Sequence, residues 1–235
     1  MTTASLSTIS DRVQSIRERI AAAAERVGRD PGEITLVAIS KTFPAEVVAE
    51  AHSAGVVDFG ENRVQELAAK ADALADTSGM RWHMVGHLQR NKAKEVVRLA
   101  HLFHALDSAR LARELNARAE QAGRVLPCLV QVNTSGEETK EGVGPEAVAA
   151  LLDELATFPA IAVSGFMTVA APADNPEQVR HEFRRLRGIR DRQRLAHPEM
   201  PLSFLSMGMS GDFEVAIEEG ATHVRLGRIL FGERD

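Results

Sequence analysis

Lys41 is the residue whose type and position most directly suggest chemistry. It follows the apolar run "LVAIS", stands three residues before Pro44, and is one of only five lysines in the chain. An amine that is partly removed from water is more often neutral, and a neutral amine can attack a carbonyl to form a Schiff base. Lys41 is therefore a candidate covalent site for an aldehyde. A lysine that extends from a strand end into water is the alternative interpretation.

A loop of small residues near the end of the chain is a candidate anion site. "SMGMSGDFEVAIEEG" is typical of a strand end, a loop and a helix, so backbone N–H groups and the hydroxyls of Ser206 and Ser210 are available to an anion. The next segment, "HVRLGRILFG", adds Gly227 and the Arg228 N–H. Together with the lysine, these two loops supply what binding of a phosphorylated aldehyde requires.

Arg225 is a third candidate, because alternation along "HVRLG" places it on one face with His223 and Gly227. A guanidinium stays charged in a protein and is costly to bury unpaired, so an inward-pointing arginine needs an acceptor. A pyridine nitrogen of a ligand is one such acceptor, and a structural carboxylate is the other.

Repeated strand and helix patterns must position these residues. Short apolar runs alternate with helical periodicity and give about eight strand candidates, which is typical of a parallel sheet with crossover helices. Eight such units in 235 residues favour a closed (β/α)8 TIM barrel, whose active site lies at the C-terminal ends of the strands. We predict one domain over residues 1–235, in which residues 1–30 supply an extra N-terminal helix that packs on the barrel.

Composition argues against several classes of function. The net charge of -5 gives no global attraction for nucleic acid, and no stretch approaches the ~20 apolar residues of a membrane span. The N-terminus lacks the apolar core of a signal peptide, so we expect a cytoplasmic protein without membrane partners. His83 and His87 have a metal-like spacing, but they fall on a predicted strand and loop, so we expect no metal.

Several longer motifs resemble those of one known family. The chain is similar to the pyridoxal phosphate homeostasis protein family from the first strand to the last loop, in the segments "LVAISKTFP", "DFGENRVQEL", "WHMVGHLQRNK", "GFMTVA" and "SFLSMGMSGDFEVAIEEGATHVRLGRILFG". The resemblance implies a barrel similar to the N-terminal domain of alanine racemase, with pyridoxal 5'-phosphate (PLP) held as a covalent aldimine.

The resemblance also implies roles for individual residues. Lys41 occupies the position of the Schiff-base lysine, and Arg225 would face the pyridine nitrogen. The phosphate would be bound by Ser210, Gly227 and Arg228, the last through its backbone N–H. The remaining residues that would line the pocket are Asn62, His83 and Met207.

Binding of PLP does not by itself make an enzyme. An arginine opposite the ring nitrogen leaves that nitrogen unprotonated and weakens the electron sink on which PLP chemistry depends. The chain also contains no tyrosine, which is the second base of an alanine-racemase-like mechanism. We therefore predict PLP homeostasis without robust catalysis: reversible binding, buffering and delivery to PLP-dependent apoenzymes, by a monomer or a weak dimer.

Two enzymatic alternatives remain open from the sequence. One is a PLP-dependent amino acid racemase in which His83 or another pocket group is the second base. The other is a PLP-free barrel aldolase in which Lys41 reacts with a sugar phosphate. Bound PLP in the purified protein would separate the aldolase from the other two functions.

Overall fold

Eight parallel strands form a closed barrel in the computed structural model, which describes residues 8–137 and 140–232. Each strand pairs with its neighbours in chain order, and the last strand pairs with the first. The predicted (β/α)8 barrel is confirmed. The strands are β1 Thr35–Ile39, β2 Asp58–Glu61, β3 Arg81–Met84, β4 Leu102–Leu106, β5 Leu126–Gln131, β6 Ile161–Met167, β7 Phe204–Ser206 and β8 His223–Leu226.

Helices connect the strands and cover the outside of the barrel. Their inward stripes are apolar and pack on the outward-facing strand residues, such as Ala38 of β1 and Val224 and Leu226 of β8. The helices are α1 Ile9–Glu25, α2 Ala45–Ser53, α3 Val64–Ala73, α4 Ala93–Leu99, α5 Ala109–Gln121, α6 Val148–Leu155, α7 Arg180–Ala196, α8 Phe213–Glu218 and α9 Arg228–Phe231. None of the helices in the described parts of the chain is long and apolar enough to cross a membrane.

The first helix belongs to the body of the barrel. Thr8 and Asp11 form a reciprocal capping box that fixes its start, and its buried face packs on α8 and α9. Arg19 pairs with Glu214 across this contact. The helix predicted within residues 1–30 therefore spans Ile9–Glu25, while residues 1–7 and 233–235 lie outside the described residues. The assignment of the whole chain to one domain stays a prediction.

The inside of the barrel is unusually polar. Inward-facing residues from five strands include two buried histidines, a buried carboxylate and a buried guanidinium, whereas barrel interiors are usually filled by branched apolar side chains. The main members are Asp58, His83, His104, Ser206 and Arg225. These side chains contact one another across the barrel, so they form a polar column along its axis.

Candidate functional site

The C-terminal mouth of the barrel brings together residues that are far apart in the sequence. Lys41 lies two residues after β1, Asn62 directly after β2, and Gly227 directly after β8. The ends of β1 and β8 approach closely, because a Cβ placed on Gly227 would lie 3.2 Å from the Ile39 carbonyl oxygen. The loop after β3 approaches the Asn62 backbone even more closely, since a Cβ on Gly86 would overlap the Asn62 carbonyl oxygen.

The loop between β7 and α8 has a fixed shape at this same end. Met207 is buried, and Gly208 has a φ of 93°, with so little space that an added Cβ would lie 2.7 Å from the Ala216 Cβ. The Met209 N–H donates to the Asp212 carboxylate, and burial raises the pKa of that carboxyl group although this bond opposes the shift. Ser210 follows in this loop, where it is partly buried.

Arg225 lies below the mouth as a buried cation that no carboxylate pairs. Its Nη1 donates to the Ser206 hydroxyl at 2.7 Å and its Nη2 to the Thr168 carbonyl at 2.7 Å. Burial lowers the pKa of Arg225 to about 10, against an attraction by Asp212 that raises it. Among the described residues it forms no salt bridge, so the structural carboxylate that the sequence left open is not its partner. Two neutral acceptors leave further N–H groups of the guanidinium for a ligand.

Comparison with known proteins identifies the family. The family model described as alanine racemase, N-terminal domain, matches residues 12–235. The pyridoxal phosphate homeostasis protein of Aquifex aeolicus is 46% identical over 224 residues, which cover 95% of this chain and 97% of that protein. The chain belongs to the pyridoxal phosphate homeostasis protein family.

Solved structures agree with this family assignment. A protein of unknown function from Bifidobacterium adolescentis is 36% identical and superposes with a TM-score of 0.88, covering 94% of each chain. PipY of Synechococcus elongatus PCC7942, in a structure with PLP bound, is 34% identical with a TM-score of 0.86, covering 96% of this chain and all of PipY.

His83 does not lie at the mouth in this member of the homeostasis family. Its Nε2 is 2.9 Å from the Asp58 carboxylate, its Nδ1 is 2.9 Å from the His104 ring, and its side chain is 1% exposed. It borders a cavity of about 450 Å³ at the opposite, N-terminal end of the strands. Strand register explains the difference from the sequence-based expectation: His83 pairs with Gly60, two residues below Asn62. The suggestion that it acts as a second base at the mouth therefore loses its basis.

His83 is instead part of a hydrogen-bonded column that ends on Arg225. Asp58 is held by Arg81 at 2.6 and 2.8 Å and by His83, and His104 links His83 to the Ser206 hydroxyl. Burial alone would raise the pKa of Asp58, but the hydrogen bonds from His83 and Arg81 outweigh it and the pKa is lowered. Burial, reinforced by the nearby Arg225 guanidinium, holds the pKa of His104 well below its usual range.

One arrangement of protons satisfies the whole column. The Nε2–H of His83 donates to the Asp58 carboxylate, and its Nδ1 accepts from the Nε2–H of His104. The Nδ1 of His104 then accepts from the Ser206 hydroxyl, whose oxygen accepts from Arg225. These tautomers are assigned from the network. Ser206 is thus fully used inside the barrel, and the suggestion that its hydroxyl binds an anion is wrong.

Sequence reasoning missed Asp58 and His104 as members of this column and placed His83 at the mouth. Asp58, His83 and His104 each occupy an inward position of an otherwise apolar strand, in "VVDFG", "RWHMVG" and "LFHAL". Polar residues at such positions could have indicated the column, because a buried polar group needs a hydrogen-bond partner. In the described parts of the chain, no group of three or more histidine, cysteine or acidic residues could hold a metal ion.

Replacing Ser206 by alanine is expected to destabilise the barrel by about 2–4 kcal/mol, because it removes the hydroxyl that bonds the buried Nη1 of Arg225 and the buried Nδ1 of His104. Urea unfolding of the apoprotein measures this loss. Ser203→Ala is the matched control, since the Ser203 hydroxyl bonds only the nearby Pro201 carbonyl and the residue is exposed. If Ser206→Ala and Ser203→Ala lose the same free energy of unfolding, the claim that the polar column stabilises the buried Arg225 is contradicted.

Proposed function

We propose that this chain binds PLP at the C-terminal mouth of the barrel through a Schiff base on Lys41. Binding is reversible, so the protein buffers free PLP and delivers it to PLP-dependent apoenzymes. The observation that carries the proposal is the placement of an amine beside a buried guanidinium that forms no salt bridge with the described residues. Lys41 follows β1, Arg225 lies on β8, and these strands pair side by side.

The residues around the mouth fit the parts of PLP. Lys41 supplies the amine for the aldehyde. Arg225 can donate to the pyridine nitrogen, because the bonds to Ser206 and Thr168 use only two of the five N–H groups of its guanidinium. Ser210 and Gly227, with the Arg228 N–H, are proposed to bind the phosphate, since the loops after the seventh and eighth strands commonly do so in barrels. Asn62 and Met207 are proposed to line the pocket, and His83 is not.

The same arrangement supports a non-catalytic role. Bound PLP would supply an electron sink, which a protonated pyridine nitrogen strengthens. Arg225 has a pKa of about 10 and is a cation at neutral pH, so it donates to that nitrogen and does not protonate it. Of the two second bases considered, tyrosine does not occur in the chain and His83 lies in the lower part of the barrel.

Three measurements on the purified protein test this function. PLP titration, followed by absorbance, is expected to show saturable binding at one equivalent, and mixing the loaded protein with an apo-form PLP enzyme is expected to restore that enzyme's activity. Incubation with L-alanine is expected to leave its enantiomeric purity unchanged. Robust turnover of an amino acid would favour the racemase. Absence of any PLP binding would favour the PLP-free aldolase.

A further inference from the structure

The turn that contains Lys41 adopts a backbone conformation that its residues disfavour. Thr42 has a φ of 72°, in the left-handed region where a β-branched residue is a genuine outlier. The Phe43 N–H donates to the Ser40 carbonyl and closes the turn. The Thr42 side chain is exposed, so its own packing does not hold the conformation. Such strain persists only where the surrounding structure enforces it.

Three side chains of one neighbouring segment enforce this turn. The Thr42 N–H donates to a Glu66 carboxylate oxygen at 2.8 Å. The Lys70 ammonium donates to the Ser40 carbonyl at 2.7 Å, and the Ser40 hydroxyl donates to Glu61 at 2.6 Å. The residues on both sides of Lys41 are therefore bound to the segment that runs from the end of β2 through α3. We call Glu61, Glu66 and Lys70 the clamp.

The clamp is costly to bury, which argues that it does more than stabilise the fold. Glu61 is fully buried, Lys70 is 7% exposed, and their charged atoms are 2.5 Å apart. Replacing such a buried pair by apolar residues is often neutral or stabilising, so a buried pair is weak support for a stability role. One Glu61 oxygen also has no hydrogen-bond partner among the described residues, and burial raises the pKa of this carboxyl group although Lys70 and Ser40 lower it.

We propose that the clamp positions Lys41 for the PLP aldehyde by holding Ser40 and Thr42 in the left-handed turn. The inference rests on the proposed function of Lys41. The clamp residues are positioning residues, because they act through the backbone on either side of the lysine. Releasing the turn lets Thr42 relax to an ordinary φ, which moves the Lys41 amine away from the cofactor position while the barrel itself stays folded.

Glu66→Ala tests the proposal with the least damage to the fold. It removes the acceptor of the Thr42 N–H, and the Glu66 side chain is only partly buried. We expect about tenfold weaker PLP binding and slower growth of the Schiff-base absorbance, with an unchanged urea midpoint. Glu46→Ala is the matched control, because Glu46 is an exposed acid in the first turn of α2. PLP affinity for Glu66→Ala equal to that of the control would overturn the proposal.

Replacing Thr42 by glycine is expected to restore PLP affinity to the Glu66→Ala variant. No such recovery is expected if Glu66 only stabilises the fold. Glycine adopts a φ near 72° without a steric penalty, so the turn needs less support. The double variant Thr42→Gly, Glu66→Ala is expected to bind PLP at least threefold more tightly than Glu66→Ala. If the double variant binds PLP no more tightly than Glu66→Ala, the proposed link between the turn and the Lys41 amine is overturned.

Lys41→Ala in the same titration separates this proposal from the proposed function. If Lys41→Ala binds PLP as tightly as the parent, the function of Lys41 fails and the clamp proposal fails with it. If Lys41→Ala loses binding while Glu66→Ala keeps it, only the clamp proposal fails.

Discussion

Substituting Lys41 by alanine is expected to abolish the visible absorbance band that PLP gives on this protein and to weaken PLP binding by about 100-fold, or about 2.7 kcal/mol. Lys41 is the proposed covalent partner of the aldehyde, so its loss leaves only non-covalent contacts to the ring and phosphate. Absorbance titration and equilibrium dialysis with PLP measure the two effects.

Lys94→Ala is the control for this substitution. Lys94 is an exposed lysine of α4, so its loss removes one surface amine without touching the mouth. It is expected to bind PLP like the parent. A Lys41→Ala protein that keeps the absorbance band would show that PLP reacts with another amine, and the account of the mouth would be wrong.

Acidification from pH 6.5 to pH 4.5 is expected to lower the free energy of unfolding of the apoprotein by about 2.3 kcal/mol through His223 alone. Burial lowers the pKa of His223 from 6.5 to about 3. Between these values the unfolded chain binds a proton at this residue and the folded chain does not. Stability is therefore full above pH 6.5 and falls as the pH falls towards 3, and the lowered pKa of His104 adds a loss in the same direction. Urea unfolding at a series of pH values gives the slope.

His223→Gln identifies the source of this slope. The variant cannot take up the proton, so its stability should fall by about 1.4 kcal/mol less per pH unit than that of the parent. His181→Gln, at an exposed position of α7, should keep the parent's slope. Identical slopes for His223→Gln and the parent would contradict a buried neutral histidine at position 223.

The fold could be predicted because parallel strands covered on both faces are short apolar runs separated by amphipathic helices. The end of the barrel at which a residue lies was harder to predict. Lys41 and Gly227 follow their strands and must lie at the mouth, whereas His83 lies within β3, where its depth depends on the stagger between neighbouring strands. That stagger is a property of the closed sheet and cannot be predicted from the alternation of polar and apolar residues along one strand.

Partners that lie far apart in sequence were also beyond prediction. Glu61 is buried against Lys70, nine residues later. Arg180, Arg184 and Arg187 of α7 all pair with Glu219 of the loop after α8. Both contacts depend on how helices are placed around the barrel, which local periodicity does not specify.

Borohydride reduction of the PLP-loaded protein, followed by peptide mass mapping, tests the central claim most directly. Reduction converts a Schiff base into a stable secondary amine and leaves the pyridoxyl mass on the residue that held it. The account predicts a yellow protein whose visible band disappears on reduction and whose added mass lies on the peptide that contains Lys41. Added mass on Lys70, Lys92, Lys94 or Lys140 alone, or no band at all after addition of PLP, would contradict it.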